Sequence, residues 1–458
     1  MTKKIVLTLI LISSLSLILA LEELSLEGAK EILLQQNLDY LSVQATKEKS
    51  EFNEKSAFYS YFPTASLSGN HTRYEPEGIQ TGGYSNQIGL SINQPLLANG
   101  SIYYNNKIQQ ENSRSSELSV RQKRVELLTQ VEILYYNALE SQKNLAIAQS
   151  SMERAWKAYN NGKIKFQQDV IAKDQLLRLQ VDATNKAITL LNSKNTYADA
   201  YRALKVYLNM DKDFELTEID FVSDGSLLTN QRKLSSEFSL EQEGTLVKGN
   251  SAYQDLLSRL VKLSREKNPQ IALAKSGISL ANYSLKLQES SFLPTLNLSL
   301  NQNWSATETS SDFNDQTTLM LNASLSLFPL VNKYHNVNAQ KMNLKAVNYN
   351  YQSMLNGLES SLETALNNYF TSLERIQLAE QTLMLNEEIF KQRSSIYEAN
   401  LISVDEYLDA QLELEQAKQQ YNSSLYGFLK SESTLRRTIG LENNSELANI
   451  ITLVLEEK

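Results

Sequence analysis

Residues able to do covalent or metal chemistry are nearly missing from this chain. It has no Cys, which excludes thiol nucleophiles, disulfides, thiolate metal sites and a lipid anchor carried on an N-terminal Cys. The two histidines, His71 and His335, lie far apart in sequence, so a His-based zinc site or catalytic relay is not expected. No Gly-x-Ser-x-Gly elbow and no phosphate-cradling glycine loop occurs. Acidic residues outnumber basic ones, 52 to 44, for a net charge of −8, a balance that disfavours nucleic acid and an anionic lipid surface. The reading is a protein that is not an enzyme and carries no cofactor or metal, whose information lies in its architecture.

The 458 residues include only 15 Gly and 6 Pro, and long windows contain neither. Such a chain favours long amphipathic helices over compact α/β domains. Lys3 and Lys4 precede an apolar run over residues 5–19, and Ala20 suits the last position before cleavage, so 1–20 reads as a secretory signal. No later stretch approaches the length of a transmembrane helix.

The chain then says nearly the same thing twice. Asn37 and Pro63 recur as Asn268 and Pro294, both at an offset of 231 residues. Gln94-Pro95-Leu96 recurs as Phe328-Pro329-Leu330, and Gln175-Leu176 as Gln411-Leu412, the offset drifting to 234 and 236. A period this long marks a duplicated half-molecule rather than a solenoid. The expected organisation is a first repeat over 21–210, a polar connector over 211–250 packing outside the main body, a second repeat over 251–441 and a tail over 442–458.

Each repeat holds two stretches of strict alternation, at about 64–73 and 87–94, then 295–304 and 318–327. One face is aliphatic (Leu67, Ile88, Leu90, Leu298, Leu321) and the other is Ser, Asn and Gly without a charge. Aromatic residues bracket the runs: Phe58, Tyr59, Tyr61, Phe62, Phe292 and Phe328 at one end, Tyr74, Tyr84 and Trp304 at the other. Neutral alternation between aromatic girdles is the pattern of a membrane β-barrel, with polar loops at 74–86 and 305–317. Four strands are too few to close a barrel, and an open edge in lipid is costly, so several chains must share one. Three chains give twelve strands and a threefold assembly.

The rest is helical. Residues 101–161 contain no Gly or Pro, enough for a helix of roughly 90 Å. A partner runs over about 170–210, and the second repeat has 332–399 followed by 404–438. Apolar residues at helical spacing, such as Val125, Leu128, Val131 and Leu139, form narrow seams that need partner helices. Shorter helices at about 26–58 and 251–290 precede the strands.

Taken together, the doubled order resembles the TolC-like outer-membrane efflux proteins over about residues 21–441. The most specific elements are Asn268-Pro269 followed by Pro294 and a strand, and the hairpin turn over 397–411. The resemblance implies a mainly α fold with a small membrane β portion. Duplicated antiparallel helical hairpins would form a trimeric α-barrel, with four strands per chain in a shared twelve-stranded β-barrel. It implies a passive exit duct in the outer membrane, its helical part in the periplasm. The implied partners are a periplasmic adaptor (membrane fusion) protein and an inner-membrane RND, ABC or MFS transporter, for efflux or type I secretion. The competing reading is a periplasmic coiled-coil scaffold or stalk with a small β domain and no pore.

The resemblance also places functional residues. Glu406 and Asp409 match a pair of acids three apart that face the tunnel mouth, where three protomers would stack carboxylate rings. Tyr397 matches a tyrosine that ties the closed end, and Asp169 its acidic partner in the first repeat. Ile402 stands where one family member has a gate-locking Arg; Lys163, Lys165 and Lys173 are the cations that could replace it. The turns at Asn161, Gly162, Lys163 and Ile164 and at Asn400, Leu401, Ile402 and Ser403 would contact the adaptor, Gly and Asn suiting the left-handed end of a helix.

Overall fold

The computed structural model describes residues 22–74, 83–218, 251–307, 310–326, 328, 330–442 and 447; the expected signal at 1–20 lies outside them. In chain order the elements are β1 (Glu22–Leu24), α1 (Leu26–Gln36), α2 (Leu38–Tyr59), β2 (Thr64–Tyr74), β3 (Gly83–Ala98), α3 (Ser101–Gln167) and α4 (Lys173–Tyr207). Then follow β4 (Phe214–Leu216), α5 (Ser251–Lys267), α6 (Pro269–Ser290), β5 (Thr295–Thr307), β6 (Ser310–Ser324), α7 (Leu330–Glu398) and α8 (Val404–Ile439). Among the described residues no helix is long and apolar enough to cross a membrane. Two compact units result, one from residues 42–121 and 269–357, the other from 1–41, 122–268 and 358–458. Each takes matching pieces of both repeats.

The first unit holds an antiparallel sheet in the order β2-β3-β5-β6. Its register sorts side chains by polarity. Ala65, Ile92, Leu300 and Leu319 form one cross-strand row, while Ser66, Ser91, Asn301 and Thr318 form a row on the opposite face. Leu67, Leu319 and Leu321 are 75, 70 and 62% exposed, an apolar face that none of the described residues covers. On the polar face Ser91 Oγ donates to Asn301 Oδ1 at 2.7 Å. Gly89 lets the Asn303 side chain cross the strand, since a Cβ there would stand 2.9 Å from Asn303 Oδ1. Pro95 has no N–H for the ladder and sits where the register shifts, before Leu97.

The strands are longer than their alternation suggests. β3 begins at Gly83 and β6 at Ser310, inside the spans expected as loops, and β6 stops at Ser324. Ladder bonds are made by the backbone, so polar residues on both faces continue the hairpins past the apolar band. Leu327 lies outside the described residues. At the sheet's helical end Lys333 Nζ donates to the Ser291 carbonyl at 2.7 Å and lies 5.7 Å over the Phe292 ring. That cation joins the α6–β5 link to the start of α7.

In the second unit the repeated asparagines explain themselves. Asn37 ends α1 and accepts the Tyr40 N–H on Oδ1 at 3.1 Å, so the single helix expected over 26–58 is broken there. Its Nδ2 donates to the Tyr207 carbonyl at 3.2 Å, and Asn268 Nδ2 donates to the Thr438 carbonyl at 2.9 Å. Tyr207 and Thr438 are themselves 231 residues apart, as the asparagines are. Each amide thus ties the turn before a strand-leading helix to the last turn of the returning hairpin helix. Pro269 follows Asn268 as the first residue of α6, where its missing N–H costs nothing.

Part of the expected connector is not outside the body. Phe214–Leu216 pairs in parallel with Glu22–Leu24, and Phe214 and Leu216 are both buried. Alternate inward positions in a three-residue strand carry too little pattern to be seen in sequence. Tyr135 closes this small sheet, its single Oη–H shared between the carbonyls of Leu24 and Thr217 at 2.9 and 2.7 Å, and burial pushes its phenol up to about 12. Beside it the fully buried Glu132 pairs with Lys30 at 2.9 Å, accepts from Ser433 Oγ at 2.6 Å and meets Arg436. Residues 219–250 lie outside the described residues.

Replacing Asn268 by Ala removes its part-buried bond to the Thr438 carbonyl. We expect a loss of about 1–2 kcal/mol. Asn37→Ala should lose a similar amount, read from denaturant midpoints by circular dichroism; an unchanged midpoint in both variants would deny the ties their role.

Candidate functional site at the hairpin tips

Both hairpins turn by the same device. Asp169, at φ 55°, follows α3, with Val170 N–H bonded to the Lys165 carbonyl at 2.9 Å and Asp169 N–H to that of Phe166 at 3.1 Å. Asn400, at φ 59°, follows α7, with Leu401 N–H on Ile396 at 3.1 Å and Asn400 N–H on Tyr397 at 3.0 Å. These are paired Schellman ends. They align Asp169 with Asn400 and Phe166 with Tyr397.

That alignment corrects the expected first tip. Asn161, Gly162, Lys163 and Ile164 are not a turn; α3 runs through them to Gln167. The glycine misled because its purpose is close approach rather than left-handed backbone. A Cβ on Gly162 would stand 2.5 Å from Leu179 Cδ1, with Leu176 and Ile171 near 3.7 Å. The counterpart of the Tyr397 turn is therefore the stretch around Phe166, about one helical turn past Gly162.

Leu179 belongs to a small apolar core with Ala158, Val404 and Tyr407, flanked by Tyr159, Ile171, Phe390, Tyr397 and Leu408. Residues from all four hairpin helices meet there. Tyr397 stacks on Tyr407, centroids 4.5 Å apart and planes at 17°, and Phe390 lies tilted on Tyr407 at 5.9 Å. Burial raises both phenols above their usual range, so the rings are neutral at physiological pH.

Polar contacts surround this core. Of the three candidate lysines, Lys165 is the one that reaches across: its Nζ donates to Asn400 Oδ1 at 2.6 Å and sits 4.6 Å over the Tyr397 ring. Lys163 instead lies over Tyr159 of its own helix, at 5.9 Å. Arg178 of α4 pairs with Asp405 of α8 at 2.5 Å, and Arg393 of α7 approaches Glu406 at 3.7 Å. Both pairs are about half exposed, and such links contribute roughly 0.2–1 kcal/mol each. The Asp169 carboxylate has no hydrogen-bond or ion-pair partner among the described residues, so no intrachain contact joins it to Tyr397.

Glu406 and Asp409 occupy the exposed face of α8, opposite the buried Tyr407, Ala410, Gln411 and Leu414. Asp405 and Glu406 also stand in the first turn, where the helix dipole favours negative charge, and Ser403 Oγ accepts the Glu406 N–H at 3.2 Å. Glu406 shares Arg393, whereas no side-chain partner meets Asp409 among the described residues. Ile402, Asn400, Leu401 and Ser403 make the second turn, and Leu401 is 77% exposed. Arg178, Arg393, Asp405 and Tyr407 were not anticipated: Arg178 and Asp405 stand 227 residues apart in sequence, and Arg393 meets Glu406 only because the second turn folds α8 back on α7. A tyrosine on each side of one turn was the only available hint of the stack.

The model of the outer membrane efflux protein family matches the chain in two blocks, residues 31–210 and 260–441. The chain belongs to the outer membrane efflux protein family. None of the curated proteins matches it in sequence. Among solved structures it is similar to CusC, with a TM-score of 0.77 at 15% identity over 92% of this chain and 93% of that one. It is similar also to the CmeC outer membrane channel of Campylobacter jejuni, at 0.74 and 17% over 94% and 89%. The open-state MtrE outer membrane channel of Neisseria gonorrhoeae gives 0.72 and 14% over 91% and 89%. As an outer membrane efflux protein the chain resides in the outer membrane with its helical part in the periplasm, and it carries the mainly α fold of duplicated hairpins with a small sheet.

The packing at Gly162 is open to a direct test. Ala in a helix interior gains about 1 kcal/mol over Gly. Here the added Cβ must displace the 1%-exposed Leu179, and overpacking typically costs 1–3 kcal/mol. Gly162→Ala should therefore destabilise; a rise in melting temperature would show that Leu179 yields freely.

Proposed function

We propose that three copies of the chain close one barrel in the outer membrane and act as a passive efflux duct. The duct opens at its helical tips when a periplasmic adaptor and an inner-membrane transporter engage it. The observation that most supports this reading is the sheet: four strands, a polar face that carries no charge alongside the aliphatic band, a bare aliphatic face, and β2 and β6 left as unpaired edges. Pairing β2 of one copy with β6 of the next removes every edge at twelve strands.

The tips serve as the gate in this reading. Lys165 supplies the cation that Ile402 cannot, holding Asn400 and the face of Tyr397. Arg178–Asp405 adds a second tie between hairpins, and Tyr397 acts through its stack on Tyr407. Asp169 serves chiefly as the helix stop. Glu406 and Asp409 of three copies form the carboxylate rings, Asp409 the stronger because Arg393 partly neutralises Glu406. The adaptor contacts the exposed turns: Leu401 with its neighbours Asn400, Ile402 and Ser403, and on the first hairpin Val170 with Ile164, Asn161 and Lys163. Gly162 is buried and makes no outside contact.

Light scattering on the protein in lipid nanodiscs, corrected for lipid, should give three chain masses per particle. A monomer released without detergent would replace the duct with a periplasmic scaffold. In planar bilayers Asp409→Asn should lower cation-over-anion permeability more than Glu406→Gln, and the double variant most. Unchanged selectivity in the double variant refutes the rings. Lys165→Ala combined with Arg178→Ala should raise resting conductance, and single-channel traces identical to the parent would remove both residues from the gate.

A further inference from the structure

Between the last turns of α3 and α7 and the start of α8 lies a cavity of about 400 Å³, a volume typical of small-ligand sites. Its lining is unlike the rest of this acidic protein. Arg154, Lys157 and Lys165 contribute three cations against one acid, Glu398. Phe390, Tyr397 and Tyr407 supply three aromatic walls.

Arg154 is the decisive residue. Its Nε and Nη2 are buried from solvent and have no hydrogen-bond partner among the described residues. Burying guanidinium N–H groups without acceptors is costly, and such orphans in folded proteins call for an explanation. The planar fork of Arg fits two carboxylate oxygens at once, which Lys cannot do. Neighbouring aromatic faces suit a flat ring, which stacks or packs edge-on against them. Arg154 is also close enough to Tyr407 to favour its phenolate, yet burial outweighs that pull, so Tyr407 offers a neutral wall rather than a competing anion.

We propose that this cavity is a binding site for a small aromatic carboxylate, its anionic group on the Arg154 fork and its ring among Phe390, Tyr397 and Tyr407. Lys157 and Lys165 add long-range attraction. Because Lys165 and Tyr397 also join the two hairpins, an occupant touches the groups that hold the tips together. The site depends on neither conductance nor partners, so its test is separable from that of the duct.

The experiment is fluorine NMR of para-fluorobenzoate with the full-length protein in lipid nanodiscs, empty nanodiscs being subtracted. The expected result is saturable broadening, reversed by unlabelled benzoate and absent for the neutral isostere para-fluorobenzamide. Arg154→Gln should weaken binding at least tenfold, and Arg154→Lys should recover only part of it. Should Arg154→Gln fail to fold, Lys157→Gln at an exposed position is expected to weaken binding several-fold. Equal binding of the amide, non-saturable broadening, or unchanged affinity in Arg154→Gln (or, failing that variant, in Lys157→Gln) would overturn the proposal.

Discussion

Backbone amides in hydrocarbon have no water to turn to, and this constraint governs the rest of the molecule. Every N–H and C=O within the bilayer must find a partner on protein, at a penalty of several kcal/mol for each one that does not. The β2-β3-β5-β6 sheet satisfies its inner strands and leaves two edges. Its aliphatic rows, such as Ala65, Ile92, Leu300 and Leu319, are equally useless to a single chain in water. Edges and apolar face together make the lone chain an incomplete object. The polar rows of Ser, Asn and Gly suit a face turned to water rather than to lipid.

The hairpin tips follow a different logic, in which apolar contact carries the stability and polar contacts carry the specificity. Leu179 against Gly162, with Val404, Ala158 and Tyr407, excludes water and so contributes kcal-scale burial. The ties around it, Lys165 to Asn400 and Arg178 to Asp405, lie in solvent and are individually weak. A junction assembled this way can exchange its outer links without melting its centre. The nitrogens of Arg154 that lack a partner among the described residues border the cavity beside the aromatic stack.

Duplication is visible in the geometry and not merely in the spacing. Asn37 and Asn268 make the same bond to carbonyls that are themselves one repeat apart, and Asp169 and Asn400 make the same left-handed stop. Where the copies differ, function is the natural place to look. The first tip has Phe166 and an acid where the second has Tyr397 and an amide, so cation and acceptor fall on opposite hairpins.

The sequence by itself determined the class of the protein. Period-2 alternation with a neutral polar face, glycine-poor helical stretches and a repeat at a constant offset are local or translational properties, and they survive in one dimension. Asn37, Pro63 and their copies marked the turns because backbone geometry at those positions admits few residues. What only the tertiary structure decided is which residues meet. Gly162 looked like a turn because Gly serves equally for positive φ and for close packing, and only the position of Leu179 separates the two uses. Arg178 with Asp405, Lys165 with Asn400 and the cavity at Arg154 join segments more than two hundred residues apart. Their pairing depends on how two hairpins pack, a relation that no local pattern of side chains encodes.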